Sequence, residues 1–222
     1  MVKVMIPVLI IPVLNRYDLL DQALSSINYP VQEILIINNG VEKYISKKEN
    51  LNVRVLNLPS NLGVSASWNL GIKLYPHAPY WLFSSTDLTF GEDSLKKFND
   101  FAGSKNHVKS NVSYSCFTVG EDIVRKIGLF DEYIYPAYFE DNDYDDRMVL
   151  AGMKEFMLSP GIHMEQLGGT PSQTIKSDAE LMSANNKTFN LNERYYKHKK
   201  ETGDYSVKGW DLNRRRENEW LR

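Results

Sequence analysis

The chain has 222 residues, 42% of them hydrophobic and 24% charged, with a formal net charge of −2. That balance belongs to an ordinary globular protein long enough to bury a large core, and it excludes an overall electrostatic grip on nucleic acid. The single cysteine, Cys116, has no partner within the chain, so a disulfide framework is excluded and a reducing, cytoplasmic setting is expected.

The opening MIPVLIIPVL is apolar but short and interrupted by Pro7 and Pro12. It therefore reads as a buried strand, not as a signal core or a bilayer span. YDLLDQALSSI follows, with Leu19, Leu20, Ala23, Leu24 and Ile27 at helical spacing. EILIIN and VRVLNL are the next strands, the first so continuously apolar that it should be covered on both faces. A helix is predicted over GVSASWNLGIKL and a fourth strand over YWLFS, which ends just before Asp87. Strands alternating with helices imply a parallel sheet joined by right-handed crossovers, with ligands bound beyond the carboxyl ends of the strands. At those ends stand Asn15 and Arg16, then Asn38, Asn39 and Gly40, then Asn61 and Gly63, and last Ser84 to Asp87. Any one of these groups suits a turn alone. Four together point to one crevice.

Beyond Phe90 a helix is predicted from Asp93 to Phe101, a strand over NVSYSCFTV, and a short helix capped at Gly128. A further helix opens in YFEDNDYDDR and runs to Gly152, and KEFMLSP reads as a last short strand. From Lys176 onward the chain is polar and helical in pattern, with Trp210 and Trp220 as its anchors. Lys197, Lys199 and Lys200, then Arg214 to Arg216, read as a solvated face or, more sharply, as a contact for an anionic acceptor or a membrane surface.

YFEDNDYDDR resembles the start of a calcium loop. Asp146 stands where that loop needs glycine and Gly152 where it needs a bidentate glutamate, which excludes it. As a helix start the stretch makes sense, because its carboxylates complement the helix dipole and Asp143 can pair with Arg147 one turn on. Tyr135, Pro136, Tyr138 and Phe139 lead straight into these acids, as a sugar-handling or desolvated acid–base site would require. Asp87 is a candidate ligand for a divalent cation that bridges phosphates. His163 is a third candidate residue.

VLIIPVLNR, ILIINNG, NLGVSASWNLGI, SSTDLTF, GLFDE and YFEDNDYDDRMVLAG follow the order and spacing of inverting family 2 glycosyltransferases with the GT-A fold. Over residues 4 to 170 the pattern resembles the rhamnosyltransferase-like branch. The resemblance implies an α/β, Rossmann-like GT-A fold with a mostly parallel central sheet flanked by helices over residues 1–175. A helical C-terminal extension, residues 176–222, is expected to pack on it. By the same resemblance Pro12 and Asn15 lie under the nucleotide base, and Asn38 stands where the family usually has an aspartate, followed by Asn39 and Gly40. Asn61, Gly63 and Asn69 lie along the nucleoside. Asp87 is the last aspartate of a DxD-type motif whose first position is Ser85, and His163 joins the metal shell. Asp141 is the general base, with Glu140 and Asp143 orienting sugar or acceptor.

The implied cofactor is Mn²⁺ or Mg²⁺. The implied donor is a UDP-, dTDP- or GDP-linked hexose or deoxyhexose, and the acceptor a hydroxyl on a glycan or glycoconjugate. The expected location is cytoplasmic or peripheral at a membrane surface, with no transmembrane segment. Two alternatives stay open at this point: a non-catalytic module that binds a nucleotide or glycan, and transfer to a modified nucleic acid.

Overall fold

Four strands, β1 (Leu9–Val13), β2 (Ile34–Asn38), β3 (Val53–Asn57) and β4 (Tyr80–Ser84), fall within the apolar runs that predict them. The structure, a computed structural model, describes residues 5–167, 176 and 179–211. With β6 (His107–Ser110), β7 (Ser113–Gly120) and β8 (Met157–Leu158) these strands form one sheet, in the order β3-β2-β1-β4-β7-β6-β8. Its pairings are parallel except where β7 meets β4 and β6. β7 reverses because a tight turn, with Ser113 in the left-handed region at φ 52°, joins it directly to β6. So short a connection allows only antiparallel pairing.

Alternation along the strands divides the core in two. Leu9, Ile11 and Val13 of β1 pack with Leu20 and Leu24 of α1 (Tyr17–Ser25) and with Leu95 and Phe98 of α3 (Ser94–Phe101). Val8 and Ile10 face the other side, with Trp68 and Ile72 of α2 (Val64–Leu74). On that side Ile123 of α4 (Glu121–Ile127) and Tyr144 and Met148 of α5 (Glu140–Leu150) complete the layer. Each such side chain, fully buried, stabilises the fold by about 1.5–3 kcal/mol. α2 lies so close to β1 that a Cβ on Gly71 would come within 2.5 Å of Ile10 Cδ1.

Three elements differ from expectation. β5 (Leu88–Phe90) and β9 (Met164–Gln166) form a separate antiparallel ribbon that no run of apolar residues announces. KEFMLSP opens as a 3₁₀ turn, Lys154–Phe156, and only Met157–Leu158 form the two-residue β8. The last helix, α6 (Ala179–Thr202), is held by polar contacts and aromatic stacking; Trp210, expected as an anchor, is 53% exposed, and Trp220 lies outside the described residues. Among the described residues no helix is long and apolar enough to cross a membrane.

Candidate active site

The chain winds from β1 outward to β2 and β3, then returns past β1 to β4. The winding reverses between β1 and β4, which is where open α/β sheets part to receive a ligand. Pro12 assists the parting. Leu9 N donates to Glu33 O at 3.0 Å and Asn39 N to Val13 O at 2.7 Å, so the odd positions of β1 bond toward β2. Ile10 and Pro12 therefore face β4. Proline has no N–H to offer there, and the β1–β4 ladder ends at Ile10 opposite Phe83. Beyond that point Asn15 follows β1, and Ser85, Thr86 and Asp87 follow β4.

The asparagines around this edge are largely engaged by the protein itself. Asn38 Nδ2 donates to Glu42 O and to Asn57 Oδ1, both at 2.7 Å. Its Oδ1 accepts from Tyr17 OH and from Gly40 N, both at 3.0 Å. Two donors and two lone pairs are thereby used, and the side chain is fully buried, so Asn38 fixes the loop after β2 and leaves no side-chain group to read a base. Asn39 ties that loop to α2, accepting from Leu62 N at 2.8 Å and donating to Ser67 Oγ at 3.0 Å. Asn61 Oδ1 accepts from Gly63 N at 2.7 Å in a local turn. Asn69, also buried, brackets Phe130: its Nδ2 donates to Phe130 O and its Oδ1 accepts from Phe130 N, both at 2.9 Å. Gly63 is required where it stands. Its φ is +81°, and a Cβ there would meet the Tyr135 ring at 2.7 Å and Pro136 O at 2.8 Å.

Ser85 Oγ donates to Asp87 Oδ1 at 2.7 Å, which orients a carboxylate that is itself only 9% exposed. His163 is elsewhere. The β5–β9 register sets Leu88 opposite Gln166 and Phe90 opposite Met164, and Leu167 N donates to Asp87 O at 2.7 Å. Asp87 and His163 thus sit at opposite ends of the ribbon, four residues apart or about 13 Å at ~3.3 Å per residue. The register keeps their backbones apart. His163 is exposed, its Nδ1 lying 3.3 Å from Asn111 Nδ2. Gln166, opposite Leu88, is the polar residue of β9 nearest Asp87 in register. Among the described residues no group of three or more His, Cys, Asp or Glu side chains is placed to hold a metal.

The acids of YFEDNDYDDR divide by helical face. Tyr138 and Phe139 both adopt the left-handed region, at φ 74° and 76°, immediately before α5 begins. Consecutive non-glycine residues in that region store strain of about 1–3 kcal/mol each and are held only by strong surroundings. Glu140 follows, almost wholly buried, with Oε2 lacking a hydrogen-bond partner. Burial, and then the charge of Asp141, push its carboxyl up to about 8, so it keeps its proton at neutral pH. Asp141 is more exposed and accepts from Asn142 N at 2.8 Å. Burial raises it too, but the amides at the helix start pull it back. Helix position alone would have kept it low; desolvation opposes that.

Asp143 and Asp146 face α6. Asp143 is fully buried, with Arg147 Nε 2.8 Å from Oδ2 and Lys199 Nζ 2.6 Å from Oδ1. Lys199 also lies 2.6 Å from Asp131 Oδ2, which Tyr195 OH reaches at 3.0 Å. Asn192 Nδ2 donates to Tyr135 O at 3.1 Å and to Ala137 O at 2.8 Å. Phe139 packs on Phe189 and stacks on Tyr196, with centroids 4.9 and 5.6 Å away. Tyr196 and Tyr205 both donate to Asp146 Oδ2 at 2.7 Å. One lysine of the predicted solvated face is therefore a buried strut, and α6 braces the strained segment that sets Glu140 and Asp141 in place.

The Glycosyl transferase family 2 profile matches residues 8–152, more than half of the sequence. The chain belongs to that family. The matched span contains the β1–β4 crevice, Asp87 and the start of α5, while α6 lies beyond it. A galactofuranosyl glycosyltransferase of Leishmania donovani is 39% identical over 51 residues, which are 22% of this chain and 12% of that protein. Among solved structures, TarS of S. aureus superposes with a TM-score of 0.57 at 14% identity, covering 73% of this chain and 37% of that one. GalNAc-T7, solved with UDP, GalNAc and Mn²⁺, superposes at 0.58 with 11% identity, covering 82% and 48%. The catalytic domain of Drosophila β1,4-galactosyltransferase 7 gives 0.51 at 14% identity, covering 75% and 68%. The fold is GT-A. The chain spans a small part of the curated relative and about a third of TarS.

Within this family 2 domain the structure also gathers residues that no sequence motif singles out. Lys109 and Tyr114, from β6 and β7, meet Asp145 one turn along α5 from Asp141. In sequence Tyr114 lies in the predicted strand NVSYSCFTV and Lys109 just before it, with no signal beyond that. Asp131 lies in GLFDE and Lys199 in the basic cluster, but nothing in the sequence pairs them across 68 residues.

Proposed function

We propose that the protein transfers a sugar from a nucleotide-diphosphate donor to an acceptor hydroxyl with inversion, Asp141 acting as general base. One observation carries this most directly: two adjacent carboxyls open α5, Glu140 buried and holding its proton at neutral pH, Asp141 more exposed and accepting from the Asn142 amide. An inverting transfer needs one ionised carboxylate to take the acceptor proton as the oxygen attacks the anomeric carbon, and Asp141 supplies it. Glu140 stands behind it, buried and neutral, so the charge of the pair rests on Asp141. Asp143 is assigned to holding α5 rather than to touching sugar, because both its oxygens face buried cations.

The donor is placed at the parting of β1 and β4, over Pro12, Asn15, Ser85 and Asp87. Asn38, Asn39, Asn61, Gly63 and Asn69 shape the nucleoside wall by fixing backbone. A divalent ion fits this set if the diphosphate supplies most of its oxygens, with Asp87 as the protein carboxylate, since Mg²⁺ is commonly held by one or two carboxylates plus phosphates. Such an ion would offset the charge on the departing diphosphate. His163 is left out of that shell. UDP-hexoses are the first donors to try, because GalNAc-T7 carries UDP with GalNAc and Mn²⁺, and S. aureus TarS carries UDP-GlcNAc.

The test is transfer or donor hydrolysis with UDP-, dTDP- and GDP-sugars under Mn²⁺ or Mg²⁺. Asp141→Asn is expected to lower turnover roughly 10²–10⁴-fold while nucleotide binding, read by thermal shift, persists. Wild-type turnover in that variant refutes the assignment. Nucleotide binding by the wild type without turnover of any donor would favour a non-catalytic module, for which Ser85 and Asn38, each standing where the family usually has an aspartate, are the supporting features.

A further inference from the structure

We infer that Lys109 is a positioning residue for the base, holding the charge of Asp141 through Asp145; the inference rests on the assignment of Asp141 above. Asp141 and Asp145 are four residues apart on α5 and share a face. Opposite that face, Lys109 Nζ is bonded to Asp145 Oδ2 and lies 4.6 Å from the Tyr114 ring centroid. Tyr114 OH donates to Asp145 Oδ1 at 2.7 Å, so both carboxylate oxygens are held. The backbone aims the lysine there. The β6–β7 register shifts between Lys109 and Ser110, an irregularity of the kind that redirects a side chain beside a site.

Among the described residues, the ionisable groups tied to Asp141 or to its neighbour Asp145 include Glu140 and Asp145 on α5, Lys109 and His107 on β6, and Tyr114 on β7. Glu140 is neutral at neutral pH. His107 is neutral as well, since burial pushes its imidazole down to about 3. Its Nδ1 lies 2.8 Å from Thr118 O, and its Nε2 lies 3.9 Å from Asp145 Oδ1 without a hydrogen bond. Tyr114 stays protonated, because burial and Asp145 raise it far above its ordinary value. Lys109 is then the one cation of the five. Other cations near α5 serve other acids: Arg147 and Lys199 hold Asp143 and Asp131 on the opposite flank, and Lys200 lies 3.8 Å from Asp146. Without the ammonium, Asp141 would face the charge of Asp145 with the helix-start amides but no cation to offset it among these groups, and its carboxylate form would weaken. Lys109 acts on Asp141 in that sense: Asp145 raises its proton affinity and Lys109 lowers it.

The experiment is a carboxyl-carbon NMR titration of the full chain labelled at aspartate, with the Asp141 resonance assigned by its loss in Asp141→Asn. Lys109→Gln is expected to move the Asp141 titration to higher pH, and Asp145→Asn, which retains the ammonium, to lower pH. Lys109→Arg keeps the charge and should titrate with the wild type. With an active donor, the acid limb of kcat/KM should move in the same two directions. Titration of both charge-changing variants with the wild type, or movement of both in one direction, overturns the inference. Should Lys109→Gln not fold, Asp145→Asn decides by itself, since no movement to lower pH is equally fatal. Wild-type turnover by Asp141→Asn is a different failure. It removes the base assignment while leaving the electrostatic coupling measurable.

Discussion

Lys199→Met is the sharpest test of the brace formed by α6. The ammonium lies 2.6 Å from carboxylates of both Asp131 and Asp143, and all three side chains are almost wholly buried. Methionine keeps the length and the apolar stem but removes the charge. Asp143 would retain Arg147 at 2.8 Å, and Asp131 would retain Tyr195 OH at 3.0 Å with the backbone N–H groups of Tyr133 and Lys208. Neither set replaces the lost charge at a site that water does not reach. Removing one partner of a buried ion pair destabilises by about 3–5 kcal/mol. For a chain of this size each kcal/mol moves the melting temperature by roughly 2–4 °C, so a fall of roughly 6–20 °C is expected. Thermal and urea unfolding followed by circular dichroism measure it. A loss below about 1 kcal/mol would show that Lys199 is solvated in solution, since exposed pairs contribute no more than that, and the brace would have to rest on Asn192 and the aromatic contacts alone.

Two further outcomes follow from the site. Glu140 titrates near 4.5 in the unfolded chain and near 8 in the folded one, so between those values the folded protein holds a proton that the unfolded chain has lost. Stability contributed by that proton is full below about 4.5 and is lost as pH rises through 8. Glu140→Gln should flatten this slope in urea titrations from pH 5 to pH 8; an unchanged slope refutes the burial argument. Asn38→Asp turns two donated bonds into contacts between a carboxylate and the oxygens of Asn57 and Glu42. A loss of roughly 1–3 kcal/mol per unsatisfied acceptor is expected, measured by chemical unfolding. Unchanged stability with altered nucleotide affinity would instead return Asn38 to the donor site.

Much of the fold was legible because the determinants are local. Continuous apolar runs announce β1, β2 and β4, and the spacing of Leu19, Leu20, Ala23 and Leu24 announces α1. The alternation of these elements predicts parallel pairing, and the polar residues after each strand mark one edge of the sheet. Even the link from Asp143 to Arg147 is a matter of helical spacing. These are short-range rules, and sequence distance carries them.

What tertiary structure decided depends on groups far apart in the chain. Position in a motif could not show that Asn38 is fully bonded inside the protein, because its partners lie on α1, β3 and the loop after β2. Nor could it show that Asp87 and His163 occupy opposite ends of a ribbon, since only the register of β5 with β9 sets that separation. The basic tail looked like a solvated face because charge is read residue by residue. Burial of Lys199 between Asp131 and Asp143 is a property of three segments meeting. The same holds for the acids of α5, which composition makes alike. Desolvation keeps the proton on Glu140, two buried cations hold Asp143, and Asp141 stays more exposed at a helix start whose aromatic lead-in is pinned by α6.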